Sequence, residues 1–177
     1  LSSSSAASDV YKRQGLLGVI VSLYVYSYQQ SISFFRLADS ICAAMPIGLG
    51  LVRIGNFMNG ELYGRTTDGT WGFVFPTDPY GFTRHPSQLY EAFLEGLMLF
   101  IVLMVIGAKN KKPGVISGSF LIGYGLIRFF IEYFRQPDAH MGFIALQLSM
   151  GQLLSIPMVI IGLILLLKSL KKNEAIS

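Results

Sequence analysis

Five long apolar runs constrain the fold of this chain more than any other feature. Each run is nearly free of charge, and the later ones approach the roughly 20 residues that a helix needs to cross a bilayer. With 52% hydrophobic and 14% charged residues, the 177-residue chain is also too apolar for a typical soluble domain. We therefore predict an all-α, polytopic membrane protein with five transmembrane helices. The predicted spans are Gly15–Tyr28, Leu37–Phe57, Pro86–Ile106, Val115–Phe134 and Ser149–Leu167.

The positions of the lysines predict the orientation in the membrane. Two lysine clusters, at 109–112 and 168–172, are separated by an even number of predicted spans. Positive residues favour the cytoplasmic side, so both clusters and the C-terminus should be cytoplasmic. The loops 59–84 and 135–148 would then lie outside.

Arginines, rather than lysines, carry the positive charge of the predicted outer half. The guanidinium group is planar and permanently charged, which suits it to phosphate oxygens. We therefore expect the outer half to bind an anionic oxygen group. The arginines concerned are Arg53, Arg65, Arg84, Arg128 and Arg135.

Residues 53–65 place a set of polar groups at the outer end of the second predicted span. Ionisable groups at membrane depth are costly and usually face a polar cavity or a partner. A single arginine could simply extend to the lipid headgroups, but five charged or amide side chains within thirteen residues favour a site. The glycines between them permit tight turns. The candidates are Arg53, Asn56, Asn59, Glu61, Gly64 and Arg65.

A second polar group enters the third predicted span. Gln88, Glu91 and Glu95 recur at helical spacing and should share one face. Carboxylates at this depth should be paired with arginines or partly protonated. His85 precedes them, and two interpretations stay open for it: a helix cap or interface residue, or a group that takes part directly in the chemistry, because histidine titrates near neutral pH.

A third polar stripe follows one face of the fourth predicted span. Tyr124, Arg128 and Glu132 recur every four residues among Phe, Ile and Leu. An ion pair between Arg128 and Glu132 would add little stability by itself, so we expect Glu132 also to orient Arg128 toward a ligand. Ser149 and Gln152, which open the last span, are expected to form packing contacts and interhelical hydrogen bonds.

The sequence predicts neither a metal nor a cofactor. The two histidines are isolated, and Cys42 lies inside an apolar run, so they do not form a zinc-binding pattern. A glycine-rich loop of the kind that binds nucleotide phosphates is also missing. A nucleic-acid partner is not expected.

Residues 1–14 differ from the rest of the chain. They are polar, low in complexity and followed abruptly by an apolar run, a pattern unlike a signal peptide. We interpret 1–14 as a non-native or disordered tail and 15–177 as a partial membrane domain. The first span is short, so we expect it to be incomplete.

These motifs resemble the bacterial prolipoprotein diacylglyceryl transferase family. Its signature Gly-Arg-x-Gly-Asn-Phe-x-Asn-x-Glu-x-x-Gly is matched from Arg53 to Gly64, with Leu51-Val52 near the position of the leading glycine. The resemblance runs from about Gly15 to the C-terminal tail. Further matches, in the same order as in the family, are Arg84-His-Pro-Ser-Gln-Leu-Tyr-Glu91, Gly123-Tyr-Gly-x-x-Arg-Phe129, Glu132-x-x-Arg-Gln-Pro-Asp138 and Leu148-Ser-Met-Gly-Gln-x-Leu-Ser-x-Pro-Met158.

The resemblance implies a fold of seven spans in the bacterial inner membrane, of which this chain holds the last five. The active site would face the outer, periplasmic side. The implied reaction transfers the diacylglyceryl group of phosphatidylglycerol to the lipobox cysteine thiol of a preprolipoprotein signal peptide and releases glycerol 1-phosphate. A Ser-Phe-His-Gly-Gly motif of the family would precede Gly15, and its histidine competes with His85 for the role of base.

The resemblance also implies roles for the candidate residues. Arg53 and Arg128 would bind the lipid phosphate, and Glu61 and Glu132 would orient them. His85 is the candidate base. The predicted catalytic residues are Arg53, Arg128, His85 and Glu61; the predicted substrate-binding residues are Asn56, Asn59, Gly64, Tyr124, Glu132 and Arg65.

The alternative is a transporter or channel for an anionic solute, with arginines along its pathway. Such a protein should carry polar residues through to the cytoplasmic face. The cytoplasmic halves of the predicted spans are apolar instead, which favours the transferase.

Overall fold

The fold of the computed structural model is a bundle of helices with a small hairpin at one end. The structure describes residues 2–135 and 149–171, and it describes side chains from residue 14 onward except that of residue 16. A π-helical segment, Ala92–Met98, joins α3 to α4, so that the two form one composite helix, Ser87–Lys109. The helices are α1 (Ser2–Gln29), α2 (Phe34–Met58), α3 (Ser87–Glu91), α4 (Leu99–Lys109), α5 (Val115–Ile131) and α6 (Met150–Lys171).

Three of these helices are long and apolar enough to cross a membrane, namely α2, the composite helix and α6. The fourth, α5, is apolar but shorter, with 17 residues. The prediction of an all-α membrane protein is confirmed, and these four helices coincide with predicted spans to within a few residues. We call the end with Met58 and Ser87 the polar end, and the end with Lys109 and Val115 the lysine end.

The first predicted span lies inside α1. That helix begins at Ser2, so the backbone of most of the predicted tail is helical. Whether the tail is native stays a prediction. The predicted loop after α5 lies outside the described residues from 136 to 148.

Glycine pairs hold the helices at close range. A Cβ atom on Gly96 would lie 2.8 Å from the Cα atom of Gly50, so the composite helix approaches α2 at the level of its backbone. A Cβ atom on Gly118 would likewise lie 3.0 Å from the carbonyl oxygen of Gly162, where α5 meets α6. Small residues permit this approach between membrane helices, where packing drives association. The first pair sets the composite helix directly against the turn of α2 that carries Arg53.

The hairpin lies between α2 and α3, at the polar end. Its strands, β1 (Phe73–Val74) and β2 (Thr83–Arg84), pair antiparallel, and neither was predicted. Phe75 is the centre of its small core, with ring centroids 5.1–5.8 Å from those of three aromatic neighbours. These neighbours are Phe57, Tyr63 and Phe73.

Arg84 belongs to this hairpin. Its Nε atom donates to Asp78 Oδ2 at 2.7 Å, and its guanidinium lies 4.7 Å from the centroid of the Tyr63 ring. The hydrogen bond from Arg84 lowers the pKa of Asp78 below its usual range. The position of Arg84 therefore does not support the prediction that it binds an anionic ligand, because its guanidinium group already donates hydrogen bonds to the carboxylate of Asp78.

At the lysine end a buried carboxylate joins α2 to α5. Asp39 accepts hydrogen bonds from the backbone N–H groups of Gly114, at 2.7 Å, and Ser117, at 2.8 Å. The first N–H groups of a helix have no partner within the helix, and a carboxylate there also meets the favourable end of the helix dipole. The helix halves at this end were predicted to be apolar, and Asp39 is an exception. Its carboxylate caps the N-terminus of α5.

Candidate functional site

Three arginines meet one buried carboxylate at the polar end. Glu91, at the end of α3, is 1% exposed. Its Oε2 atom lies 2.5 Å from Arg53 Nε, and its Oε1 atom lies 3.6 Å from Arg128 Nη1 and 3.8 Å from Arg135 Nη1. Arg53 comes from α2, Arg128 from α5 and Arg135 from the turn after α5. One side chain therefore links three parts of the bundle.

Two further carboxylates complete the set. Arg53 Nη2 lies 3.7 Å from Glu95 Oε2, and Arg128 Nη2 lies 3.3 Å from Glu132 Oε2. Buried charges are costly unless they are paired, and here three positive and three negative groups share one space. The arginine–glutamate cluster consists of Arg53, Arg128, Arg135, Glu91, Glu95 and Glu132.

The π-helical segment shapes one wall of this cluster. Glu95 lies inside it, one turn below Glu91, and Gly96 beside it contacts Gly50 of α2. Segments of this type occur frequently at functional sites. Both carboxylates lie within ion-pair distance of Arg53, in agreement with the prediction that they share a helix face and pair with arginines.

The first turn of α6 supports the opposite wall. A Cβ atom on Gly151 would lie 2.6 Å from Glu132 Oε2, so the carboxylate occupies the space that a side chain would need. Ser149 and Gln152 bond to each other's backbone N–H groups, at 3.3 and 3.1 Å. This reciprocal cap belongs to α6 alone. The prediction of interhelical hydrogen bonds from these two side chains is therefore wrong for the described residues.

Several buried polar atoms of the site have no hydrogen-bond partner among the described residues. They include both carboxylate oxygens of Glu95, the Oε1 atom of Gln88 and the Nη1 atom of Arg128. Buried polar groups are nearly always satisfied by protein, water or a ligand. Their presence beside a charged cluster is typical of a binding site.

The asparagines and Glu61 lie at the edge of the site. Asn56 is half-buried, whereas Asn59 is exposed and lines a hollow of about 350 Å³ with residues of the hairpin. Glu61 is exposed, and among the described residues its carboxylate forms no ion pair. Its backbone carbonyl instead accepts a hydrogen bond from Gln88 Nε2 at 2.5 Å. The structure does not bring the Glu61 carboxylate to the arginines; Glu91 is there instead.

Gly64 and Arg65 join the polar end together through their backbones. The Gly64 N–H donates to His85 O at 2.8 Å, and the Arg65 N–H donates to Phe134 O at 3.0 Å. The Arg65 Nε atom donates to Arg135 O at 2.9 Å. These hydrogen bonds connect the segment of Gly64 and Arg65 to the segment just before α3 and to the turn that carries Arg135, and so hold that turn in position.

The imidazole of His85 packs against Tyr90 and Phe134, two of the residues that line an apolar groove. Its Nδ1 atom lies 3.4 Å from Tyr90 Oη, and its ring packs edge-on against Phe134 with centroids 5.6 Å apart. Among the described residues, the ring forms no ion pair or hydrogen bond with the cluster. The groove, about 410 Å³, is lined by Leu89, Tyr90, Phe93, Leu94, Phe130, Ile131 and Phe134.

Tyr124 lies on the same side of α5 as Arg128. Its ring stacks on Phe120 with centroids 5.7 Å apart, and it lies within electrostatic range of Arg128 and Glu95. The structure thus brings together four predicted residues: Arg53, Arg128, Glu132 and Tyr124. Glu91 and Glu95 were not predicted among the catalytic or substrate-binding residues, although their helical spacing predicted pairing with arginines. Arg135 was predicted only as a member of the general group of outer-half arginines.

The family comparison agrees with the motifs. The prolipoprotein diacylglyceryl transferase family model matches residues 14–168. The chain belongs to this family. The transferase family is the one that the motifs resemble, so that expectation is confirmed.

Named relatives of this transferase family are similar over most of the chain. The phosphatidylglycerol–prolipoprotein diacylglyceryl transferase of Photobacterium profundum is 54% identical over 157 residues, which cover 89% of this chain and 59% of the relative. Its counterpart in Geobacter sulfurreducens is 54% identical over 149 residues, 84% of this chain and 57% of the relative. The transferase of Chlorobaculum tepidum is 48% identical over 160 residues, which cover 90% of this chain and 55% of the relative. The chain spans a little over half the length of these relatives.

Proposed function

We propose that this chain forms the phosphate-binding centre of an enzyme that transfers a diacylglyceryl group from phosphatidylglycerol to the lipobox cysteine of a preprolipoprotein. The names of its relatives support the reaction. The observation that carries the proposal is the convergence of three guanidinium groups on Glu91, buried at the polar end of membrane helices.

The reaction requires a charge to be stabilised on phosphate. The cysteine sulfur forms a bond to a glycerol carbon, and the bond from that carbon to the phosphate oxygen breaks. The oxygen keeps the electron pair, so a phosphodiester with one negative charge becomes a monoester with two, and the thiol proton is released. Fixed positive groups in a site shielded from water stabilise such developing charge strongly. No cysteine of the enzyme is needed, because the sulfur belongs to the substrate.

Arg53 and Arg128 are the proposed phosphate ligands. The Nη1 atom of Arg128 is within ion-pair distance of Glu91 but forms no hydrogen bond with a described residue, so it is a buried donor available to a phosphate oxygen. Guanidinium groups that share one space repel each other unless a negative charge lies between them. Glu91 supplies that charge, and Glu132 holds the second nitrogen of Arg128. The arginines are thus set in place before the lipid arrives.

We place the polar end at the outer face of the bacterial inner membrane. The lysines at the opposite end support a cytoplasmic position for that end. The acyl chains of the lipid and the apolar part of the signal peptide would remain in the bilayer, with the headgroup at the cluster. Asn56 and Asn59, at the edge of the site, and Tyr124, beside Arg128, remain proposed headgroup ligands.

Replacing Arg128 with lysine tests the proposal. Since its relatives are longer, the chain is assayed joined to the N-terminal part of the Photobacterium profundum relative, in vesicles of phosphatidylglycerol with a lipobox peptide. The substitution turns a forked donor into a point charge. Transfer should fall by about 100-fold or more, as expected for the loss of one donor to a developing anion.

Arg36 provides the matched control. It is an exposed arginine at the lysine end, and Arg36→Lys should leave transfer unchanged. Near-normal transfer by the Arg128→Lys variant would refute the role of Arg128, and a joined protein that transfers nothing would refute the proposed reaction.

The transporter alternative finds no support. The relatives are named as transferases. At the lysine end, the buried Asp39 is bonded to α5 and does not line a pathway.

A further inference from the structure

One carboxylate of the cluster differs from the others in its surroundings. Glu95 is 0% exposed, and neither of its oxygens accepts a hydrogen bond from a described residue. Its ion-pair contact with Arg53 Nη2 is 3.7 Å long. Glu91 and Glu132 each have only one buried oxygen, Oε2, without a hydrogen bond from a described residue. Glu91 is also within ion-pair distance of three arginines, and Glu132 lies 3.3 Å from Arg128. Glu95 is therefore the least compensated negative group of the cluster.

A carboxylate in such a place is a good proton acceptor. Removal from water and from donors favours its neutral form over its charged form. The charged and titratable groups that face Glu95 are Arg53 from α2, Glu91 from its own helix, Tyr124 and Arg128 from α5, and Arg135 from the turn after α5.

The charge balance of the cluster also favours the uptake of a proton by one of its carboxylates. Three arginines and three glutamates sum to zero when all are ionised. A phosphodiester would add one negative charge to this buried space, and the reaction would add a second. Uptake of one proton by a carboxylate of the cluster offsets one of these charges, and the reaction itself releases one proton, from the thiol.

The position of Glu95 suits it to this transfer. The same guanidinium, that of Arg53, contacts Glu91 through Nε and Glu95 through Nη2. A phosphate bound at Arg53 would thus lie beside Glu95, as would a sulfur atom approaching the carbon attached to that phosphate. His85, by contrast, packs against Tyr90 and Phe134, and among the described residues its ring forms no ion pair or hydrogen bond with the cluster.

We propose that Glu95 is the base that accepts the proton of the substrate thiol. The inference rests on the proposed function. The S–H proton moves to a carboxylate oxygen of Glu95, and the sulfur lone pair forms the bond to the glycerol carbon. The bond from that carbon to oxygen breaks with its electrons on the phosphate. The proton on Glu95 can then pass to the departing phosphate monoester, which restores the starting state of the enzyme.

A substrate that needs no base separates this role from a structural one. The joined protein is given two lipobox peptides, one with cysteine and one with selenocysteine at the acceptor position. A selenol is largely ionised at neutral pH, whereas a thiol must lose its proton to become nucleophilic. Glu95→Gln keeps the shape of the side chain and removes the proton acceptor. Transfer to the cysteine peptide should fall by about 100-fold or more, and transfer to the selenocysteine peptide by less than about 3-fold.

Glu91→Gln is the matched comparison on the same helix face. It loosens the arginines, so it should lower transfer to both peptides alike. Glu95→Asp retains a carboxylate and should recover part of the transfer to the cysteine peptide.

Each outcome decides between the two proposals. Suppose that the wild-type protein transfers the group to both peptides. If Glu95→Gln then lowers transfer to both peptides equally, or lowers transfer to neither, the assignment of Glu95 is overturned and the proposed function stands. A wild-type protein that uses neither peptide would overturn the proposed function and the inference with it.

Discussion

Replacement of Gly64 with alanine should loosen the whole polar end of the bundle. An ideal Cβ atom at this position would lie 2.5 Å from Phe134 O and 2.7 Å from His85 O. Both contacts are with backbone atoms, which cannot rotate away as the end of a flexible side chain can. The added methyl group must therefore push the segment around Gly64 away from α3 or from the turn after α5.

The magnitude follows from what that displacement breaks. Overpacking at a closely packed site costs about 1–3 kcal/mol. Separation also strains two backbone hydrogen bonds, Gly64 N–H to His85 O at 2.8 Å and Arg65 N–H to Phe134 O at 3.0 Å, each worth about 1 kcal/mol. The free energy of unfolding should thus fall by about 3–5 kcal/mol if both bonds break. Transfer activity should fall as well, because the same segment fixes the turn that carries Arg135.

The measurement is unfolding in detergent micelles, together with the transfer assay. Gly48→Ala is the matched control, since a Cβ atom on this residue of α2 has no neighbour within 4 Å. Alanine there should be neutral or stabilise the helix by up to about 1 kcal/mol. If the free energy of unfolding of Gly64→Ala lies within about 0.5 kcal/mol of the wild-type value, the backbone around residue 64 accommodates a methyl group and the predicted overpacking is refuted.

Two further predictions concern the carboxylates outside the cluster. In the wild type, the N–H groups of Gly114 and Ser117 donate to different oxygens of Asp39, and Asp39→Asn leaves only one acceptor oxygen for both. The free energy of unfolding in detergent should therefore fall by about 2 kcal/mol. An unchanged value would refute the capping role. Asp78 has a pKa lowered by its hydrogen bond from Arg84, so its contribution to hairpin stability should be complete above its unfolded pKa of about 3.9 and be lost as the pH falls through the folded value. Protease cleavage within residues 59–84 should accelerate in that acid range, and Asp78→Asn should cleave readily at every pH; equal acid responses of the two proteins would contradict the assignment.

The positions of the helices could be predicted from the sequence because the apolar runs are long and their ends are polar. Periodicity also predicted which faces carry the site. Arg128 and Glu132 are four residues apart, and Glu91 and Glu95 share a face, so convergence with Arg53 was a consequence of bundle packing. The contacts confirm that these groups meet.

The pairing between elements could not be predicted in the same way. Glu91 and Glu61 are equally plausible partners for Arg53 by sequence, and only the fold of the turn directs Glu61 away from it. Arg84 is occupied by Asp78 because of a hairpin whose strands have two residues each, too short for an alternating pattern to be visible. The π-helical segment likewise has no local signal in the sequence, and neither does the approach of its Gly96 to Gly50.

The Asp39 cap has a mechanical consequence. Its carboxylate belongs to α2 and its donors to the start of α5, so the two helices are pinned where the chain enters α5. Any movement that changes the separation of Arg53 and Arg128 must therefore occur at the opposite end of these helices, with the Asp39 contact as its pivot.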